Sequence, residues 1–149
     1  MKCALMLAAM LVLTGCGRTP PSDARLTQQF RKLKPTLEAI VKAASAESRP
    51  FGLVGGVANP PGAISDAKTE ELTILLRQAG VHRFGRREDG SFSFEVFSNS
   101  VLIDSWHKGF IHSTNQLETT TNSLDGVRGE GTWLKKIEGN WYIYYSMIG

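Results

Sequence analysis

Apolar residues in the first third of the chain recur with a helical period. Leu26, Phe30, Leu33, Leu37, Ile40, Val41 and Ala44 fall three or four apart, with one adjacent pair, and so share one stripe of a helix. Ser22 or Asp23 can cap its start. Pro35 stands inside the stripe, where it removes a backbone hydrogen bond and crowds the carbonyl of Arg31. Because the apolar phase continues across it, the pattern predicts one helix kinked at Lys34-Pro35, with two consecutive helices as the alternative. Residues 49–64 are rich in glycine and proline and read as a loop, packed on the body through Phe51, Leu53, Val54 and Val57. A second helix starts at Ser65-Asp66, buries Leu72, Leu75, Leu76 and Ala79, and stops at Gly80.

Beyond Gly80 the period changes to two. Val81 to Arg87 reads as a strand, Asp89-Gly90 as a hairpin turn, and Ser91 to Phe97 as the returning strand. In the latter, Phe92, Phe94 and Val96 alternate with Ser91, Ser93 and Glu95. A turn at Asn99-Ser100 leads into a longer strand, Val101 to Ser113, bent or bulged near Lys108-Gly109. Residues 114–130 form a polar loop, the longest of the sheet, and loops of that length often carry function. Thr132 to Ile137 and Trp141 to Met147 then pair through Glu138-Gly139-Asn140. Eleven of the thirteen aromatic residues lie past Gly80, so the sheet supplies most of the bulky core. The expected fold is α+β: an antiparallel meander of about five strands packed on two N-terminal helices.

The amino terminus follows another logic. One cation, Lys2, precedes an apolar run from Ala4 to Leu13 that ends in small residues, the order of a secretory signal. Ten helical residues rise about 15 Å, half of a hydrocarbon core roughly 30 Å thick, so the run is too short to span. Its close, Leu13-Thr14-Gly15-Cys16, resembles the lipobox of bacterial lipoproteins. That resemblance implies cleavage between Gly15 and Cys16 and a lipid on the Cys16 sulfur. Residues 1–15 are then the signal peptide, 16–23 the lipidated cysteine and a Pro-Pro tether, and 24–149 a single domain. Gly17, where an inner-membrane retention signal would place Asp, favours sorting to an outer membrane. The other cysteine, Cys3, leaves with the signal, so no free thiol or disulfide remains and a packed core must hold the fold.

Charge narrows the partners little. The formal net charge of +3 lacks the clustered stripe that nucleic acid requires. Residues 17–34 are nevertheless net basic, through Arg18, Arg25, Arg31, Lys32 and Lys34 against Asp23, and could lie on anionic headgroups or simply be solvated. Arg83, Arg86, Arg87 and Lys108 form a second basic group suited to an acidic partner.

Candidate chemistry is sparse. His82, His107 and His112 show no metal-ligand spacing, and neither a metal nor another cofactor is expected. Gly52-Leu53-Val54-Gly55-Gly56 opens no helix after a strand, so it is no phosphate cradle. Asp104, Ser105 and His107 have the composition of a hydrolytic triad, but neighbours on one strand diverge. Tyr142 and Tyr144 alternate with Trp141, Ile143 and Tyr145, and can lie on the sheet face away from the helices, beside Trp133. There they would form either an exposed binding face or a second small core under the 114–130 loop. The reading that results is a lipid-anchored, non-enzymatic binding domain facing the periplasm, with an envelope protein as partner. The alternative is a small hydrolase using Asp104 with His107 or His112.

Overall fold

The computed structural model describes residues 19–101 and 104–149. Helix α1 (Asp23–Ala44) runs through Pro35 without a break, so the two-helix alternative does not hold. Its stripe is buried at Leu26, Phe30, Leu37 and Ile40, and the Ser22 hydroxyl caps it by accepting from the Arg25 N–H at 3.3 Å. Helix α2 (Asp66–Ala79) is capped in the same way by Ser65 and ends on a left-handed Gly80, the conformation glycine adopts without a Cβ clash. Seven antiparallel strands make one sheet: β1 (Phe51–Val54), β2 (Val57–Asn59), β3 (Arg83–Arg86), β4 (Phe92–Val101), β5 (Asp104–His112), β6 (Gly131–Glu138) and β7 (Trp141–Ile148). Their order is β2-β1-β3-β4-β5-β7-β6. The α+β meander on two N-terminal helices is thus the fold, with two more strands than the alternation predicts.

Those two strands come from the glycine-rich stretch taken for a loop. Phe51 and Leu53 are buried while Gly52 and Val54 point away, and Gly55 and Gly56, both at positive φ, turn the chain back into β2. A run of four residues is too short to announce a period against seven glycines and prolines. The bulge falls opposite Lys108-Gly109, as expected, but its extra residue lies in β4, between Glu95 and Phe97, and not in β5. Gly109 serves a close approach instead: a Cβ there would sit 1.9 Å from the Phe94 carbonyl oxygen. Asn99 and Ser100 are not a turn but paired strand residues of β4.

Both helices cover one face of the sheet, where Phe84, Phe94, Phe110, Trp141 and Ile143 join α1 and α2 in the main core. Phe30 meets Phe110 and Trp141 at centroid distances of 5.6 and 5.3 Å. On the outer face a smaller cluster of Ile111, Tyr142 and Tyr144 packs with Leu117 and Leu134. The segment 113–130 connects the two sides. Leu117 covers Tyr142 from outside, with its N–H donating to the Tyr142 hydroxyl at 3.2 Å. Thr120 and Thr121 then cross the β6 edge, bonding Leu134 through its N–H and carbonyl. Leu124 finally enters the main core. The segment straps an edge strand that would otherwise offer unpaired backbone groups.

The strap is tied down at Asp23, the first residue of α1. One carboxylate oxygen of Asp23 takes the Lys108 ammonium at 3.0 Å; the other takes the Lys135 ammonium at 3.0 Å and the Leu124 N–H at 2.8 Å. Lys108, 1 % exposed, also donates to the Pro21 carbonyl at 2.8 Å. Burial on its own would raise the Asp23 pKa, but the Leu124 N–H and the two ammoniums outweigh it and hold the carboxyl below its ordinary value. A fully buried lysine is tolerable here because its ammonium reaches three oxygens, those of Pro21, Asp23 and, at 3.4 Å, Asp125.

Candidate functional site

Strand β3 places its side chains alternately. Phe84 and Arg86 point to the helices, and Arg86 is used there, donating to the Glu47 carbonyl and lying over the Phe92 ring. Arg83, Gly85 and Arg87 point to the outer face. Gly85 pairs with Gly52 on one side and Ser93 on the other, so the sheet surface between the two arginines carries almost no side chain. The glycines have a packing reason of their own: a Cβ at Gly85 would come within 2.8 Å of the Phe51 carbonyl oxygen. The consequence is a cleft of about 410 Å³ with Gly52, Gly85 and Ser93 beneath it and Asn59, Arg83 and Arg87 around it. Among the described residues neither guanidinium forms an ion pair, although the formation of such pairs elsewhere (Lys34 with Glu138, Lys68 with Glu71) shows that the surface is not short of acids. Two guanidiniums in a low-walled cleft can bind carboxylates or other anions bidentately.

Beside this cleft the sheet brings together a group that sequence reasoning missed. Glu95 is opposite Arg83 in the register, and its carboxylate lies 2.9 Å from Nδ1 of His107 across the β4 bulge. The two atoms are close without a hydrogen bond, since Nδ1 has no aligned partner among the described residues. Tyr144 lies on the same face; burial, with Glu95 nearby, pushes its hydroxyl well above the ordinary tyrosine value, against the opposing pull of Arg83 and Arg87. No sequence spacing signals the Glu95–His107 pair, because the cross-strand register that brings them into reach is not written in either strand alone.

The residues singled out from sequence separate in the structure. Asp104 and His112 sit at opposite ends of β5, roughly 26 Å apart for an extended strand. Both are in phase with the helix-facing residues of β5, whereas His107 points to the outer face. His112 packs edge-on against Trp141 at 4.8 Å, and burial lowers its pKa from the ordinary 6.5. The hydrolytic grouping of Asp104, His107 and His112 is therefore not assembled. The serines flanking His107 in the register do not replace it: Ser146 bonds Thr132 at 3.1 Å, and Ser98 makes no bond to the ring. His82 stands apart on a second cleft, of about 360 Å³, between the β1–β2 turn and the end of α2. No group of three metal-ligating side chains occurs among the described residues.

The aromatic face is divided in the same way. Trp133 pairs with Tyr145 and stacks on it at 5.9 Å on the helix side, so it does not share a face with Tyr142 and Tyr144. Tyr142 is 1 % exposed under the strap, which corrects the expectation of an open tyrosine surface in favour of the second small core. The expected basic group shrinks likewise, since Lys108 and Arg86 point inward and leave Arg83 and Arg87. Gly15 and Cys16 lie outside the described residues, among which no helix is long and apolar enough to cross a membrane. No protein-family model matches the chain, and neither a curated protein nor a solved structure is significantly similar to it.

Proposed function

We propose that the chain is a lipid-anchored envelope domain that binds a carboxylate-bearing segment of an envelope protein in the Arg83–Arg87 cleft. The observation that carries this reading is the pair of guanidiniums, neither in an ion pair among the described residues, on either side of the Gly52–Gly85 surface. A buried or paired arginine is structural; an unpaired couple facing the same bare cleft is arranged for something outside the chain. Cys16 supplies the anchor, by the lipobox that ends in it, and outer-membrane sorting follows from Gly17. The role is one of binding, and the partner's acid groups supply the complementarity.

A photo-crosslinking residue at Asn59 tests the cleft in intact cells. A specific adduct is expected with the wild type, weakened by added salt in isolated envelopes and reduced about tenfold in Arg83→Ala/Arg87→Ala, the loss of ~1.4 kcal/mol that two charge-assisted contacts readily account for. Undiminished adduct in the double variant would discard the cleft. Mass spectrometry of the mature chain tests the anchor independently, through the diacylglyceryl group expected on Cys16.

A further inference from the structure

We infer that the outward face of the first half of α1 docks on the anionic phospholipid surface that holds the anchor, so that the domain lies on the start of α1 and turns the Arg83–Arg87 cleft to the aqueous side. This inference rests on the anchored reading of Cys16. Three observations converge on it. The first is reach: Pro21 is fixed to the body through Lys108, and only five residue steps separate it from Cys16. Fully extended, they span at most about 18 Å, so the start of α1 stays close to the headgroups.

The second is charge. Arg25, Arg31 and Lys32 are exposed on the side of α1 opposite its buried stripe, and none forms an ion pair among the described residues. The acids of this region are already committed: Asp23 is turned inward to Lys108 and Lys135, the half-exposed Asp125 is held by the Asp23 N–H and Lys108, and Glu138 is taken by Lys34. What remains facing outward is cationic, within the Debye length of roughly 8–10 Å over which a charged surface is felt. The third is the layer order. Both helices cover the same face of the sheet, so a bilayer against α1 leaves the outer face, with its cleft, directed away from the membrane. The diacylglyceryl group holds the chain at the bilayer, and attraction by the basic segment sets how the body lies on it.

The orientation is measurable on the lipidated protein itself, reconstituted in vesicles of phosphatidylcholine with or without phosphatidylglycerol. Because Cys16 is alkylated, a single introduced cysteine can carry a fluorophore, either Gln28→Cys on the outward face of α1 or Ser98→Cys on the outer face of the sheet. Headgroup-nitroxide lipids are expected to quench the label at 28 at least twofold more than the label at 98 in anionic vesicles. The difference should fall by at least half in pure phosphatidylcholine, and in anionic vesicles with Arg25→Glu/Arg31→Glu/Lys32→Glu, whose surface substitutions leave the circular dichroism unchanged; the tether alone sets what remains. Equal quenching at both positions, or a difference undiminished by charge reversal, would overturn the docking while leaving the anchor intact. An unmodified Cys16 thiol in the mature chain would instead remove the anchored reading, and this inference with it.

Discussion

Asp23 is the residue on which most separate pieces of the molecule meet: the tether through Lys108, the strap through Leu124, and strand β6 through Lys135. Removing the carboxylate leaves the buried Lys108 short of its principal partner, so Asp23→Ala should cost about 3 kcal/mol in chemical denaturation. Lys108→Met in the same chain should recover part of that loss, because the uncompensated charge goes with it; a double variant no more stable than the single would show that the tie works by packing rather than charge. Sequence could not reveal this. Lys108 falls in phase with the buried Phe110, which alternation reads as a core position, yet its type reads as surface, and nothing local says that an aspartate 85 residues away is waiting for it. His112 is a second case of a polar residue spent on the core. Its folded pKa lies below the ordinary 6.5, so the unfolded chain binds the proton more readily and stability falls as pH drops from about 6.5 toward that lower value. His112→Phe should flatten this part of the stability–pH curve, while the loss of the Asp23 contribution below about 3.8 should persist.

At the scale of elements, what the chain discloses depends on how long a period is sustained. Helix α1 carries its stripe through six turns and is legible despite Pro35; the β3–β4 hairpin is legible because Asp89 makes a local turn, with its carboxylate accepting from the Ser91 N–H at 2.9 Å. The β1–β2 hairpin, four residues and three, is not. The segment 113–130 was legible as a polar loop, but not as a strap, since its contacts with Tyr142, Leu134 and Asp23 are all tertiary. Its hold on the outer face can be loosened at one atom. Tyr142→Phe removes the acceptor for the Leu117 N–H and should lower stability by about 1 kcal/mol, with amide exchange accelerated at 117 and unaltered at Leu26 or Phe110. The strand pair β4–β5 is more demanding. Gly109→Ala would drive a methyl group into the Phe94 carbonyl and bring it to 3.0 Å from the Tyr144 ring, so a loss of ~3 kcal/mol or outright failure to fold is expected.

Across the whole molecule the two faces of the sheet divide the labour that the sequence left ambiguous. The helix side is closed by a continuous apolar core and carries the tether; the outer side is closed by the strap over β5, β6 and β7 and bare over β1 and β3, where the cleft lies. The alternation in β3 located its arginines correctly, but not which of them turn inward, nor that glycines in two different elements would meet between the remaining two. This division also fixes how the body should behave without its anchor. The large apolar side chains left exposed among the described residues are Val54 and Val57, partners in the β1–β2 hairpin, with Ile74 on α2 and Ile148 at the end of β7, a pair and two single residues and no large patch. Scattered exposure of this kind does not drive association. Replacing residues 1–16 by a cleavable signal without a lipobox should therefore release residues 17–149 to the aqueous phase as a folded, monodisperse protein, checked by fractionation, circular dichroism and light scattering. The Asp23–Lys108 tie survives in that chain, since the bond to Pro21 needs nothing upstream of it. Aggregation of the released body would mean that the lipid or the membrane covers apolar surface and contributes to the fold as well as to its placement.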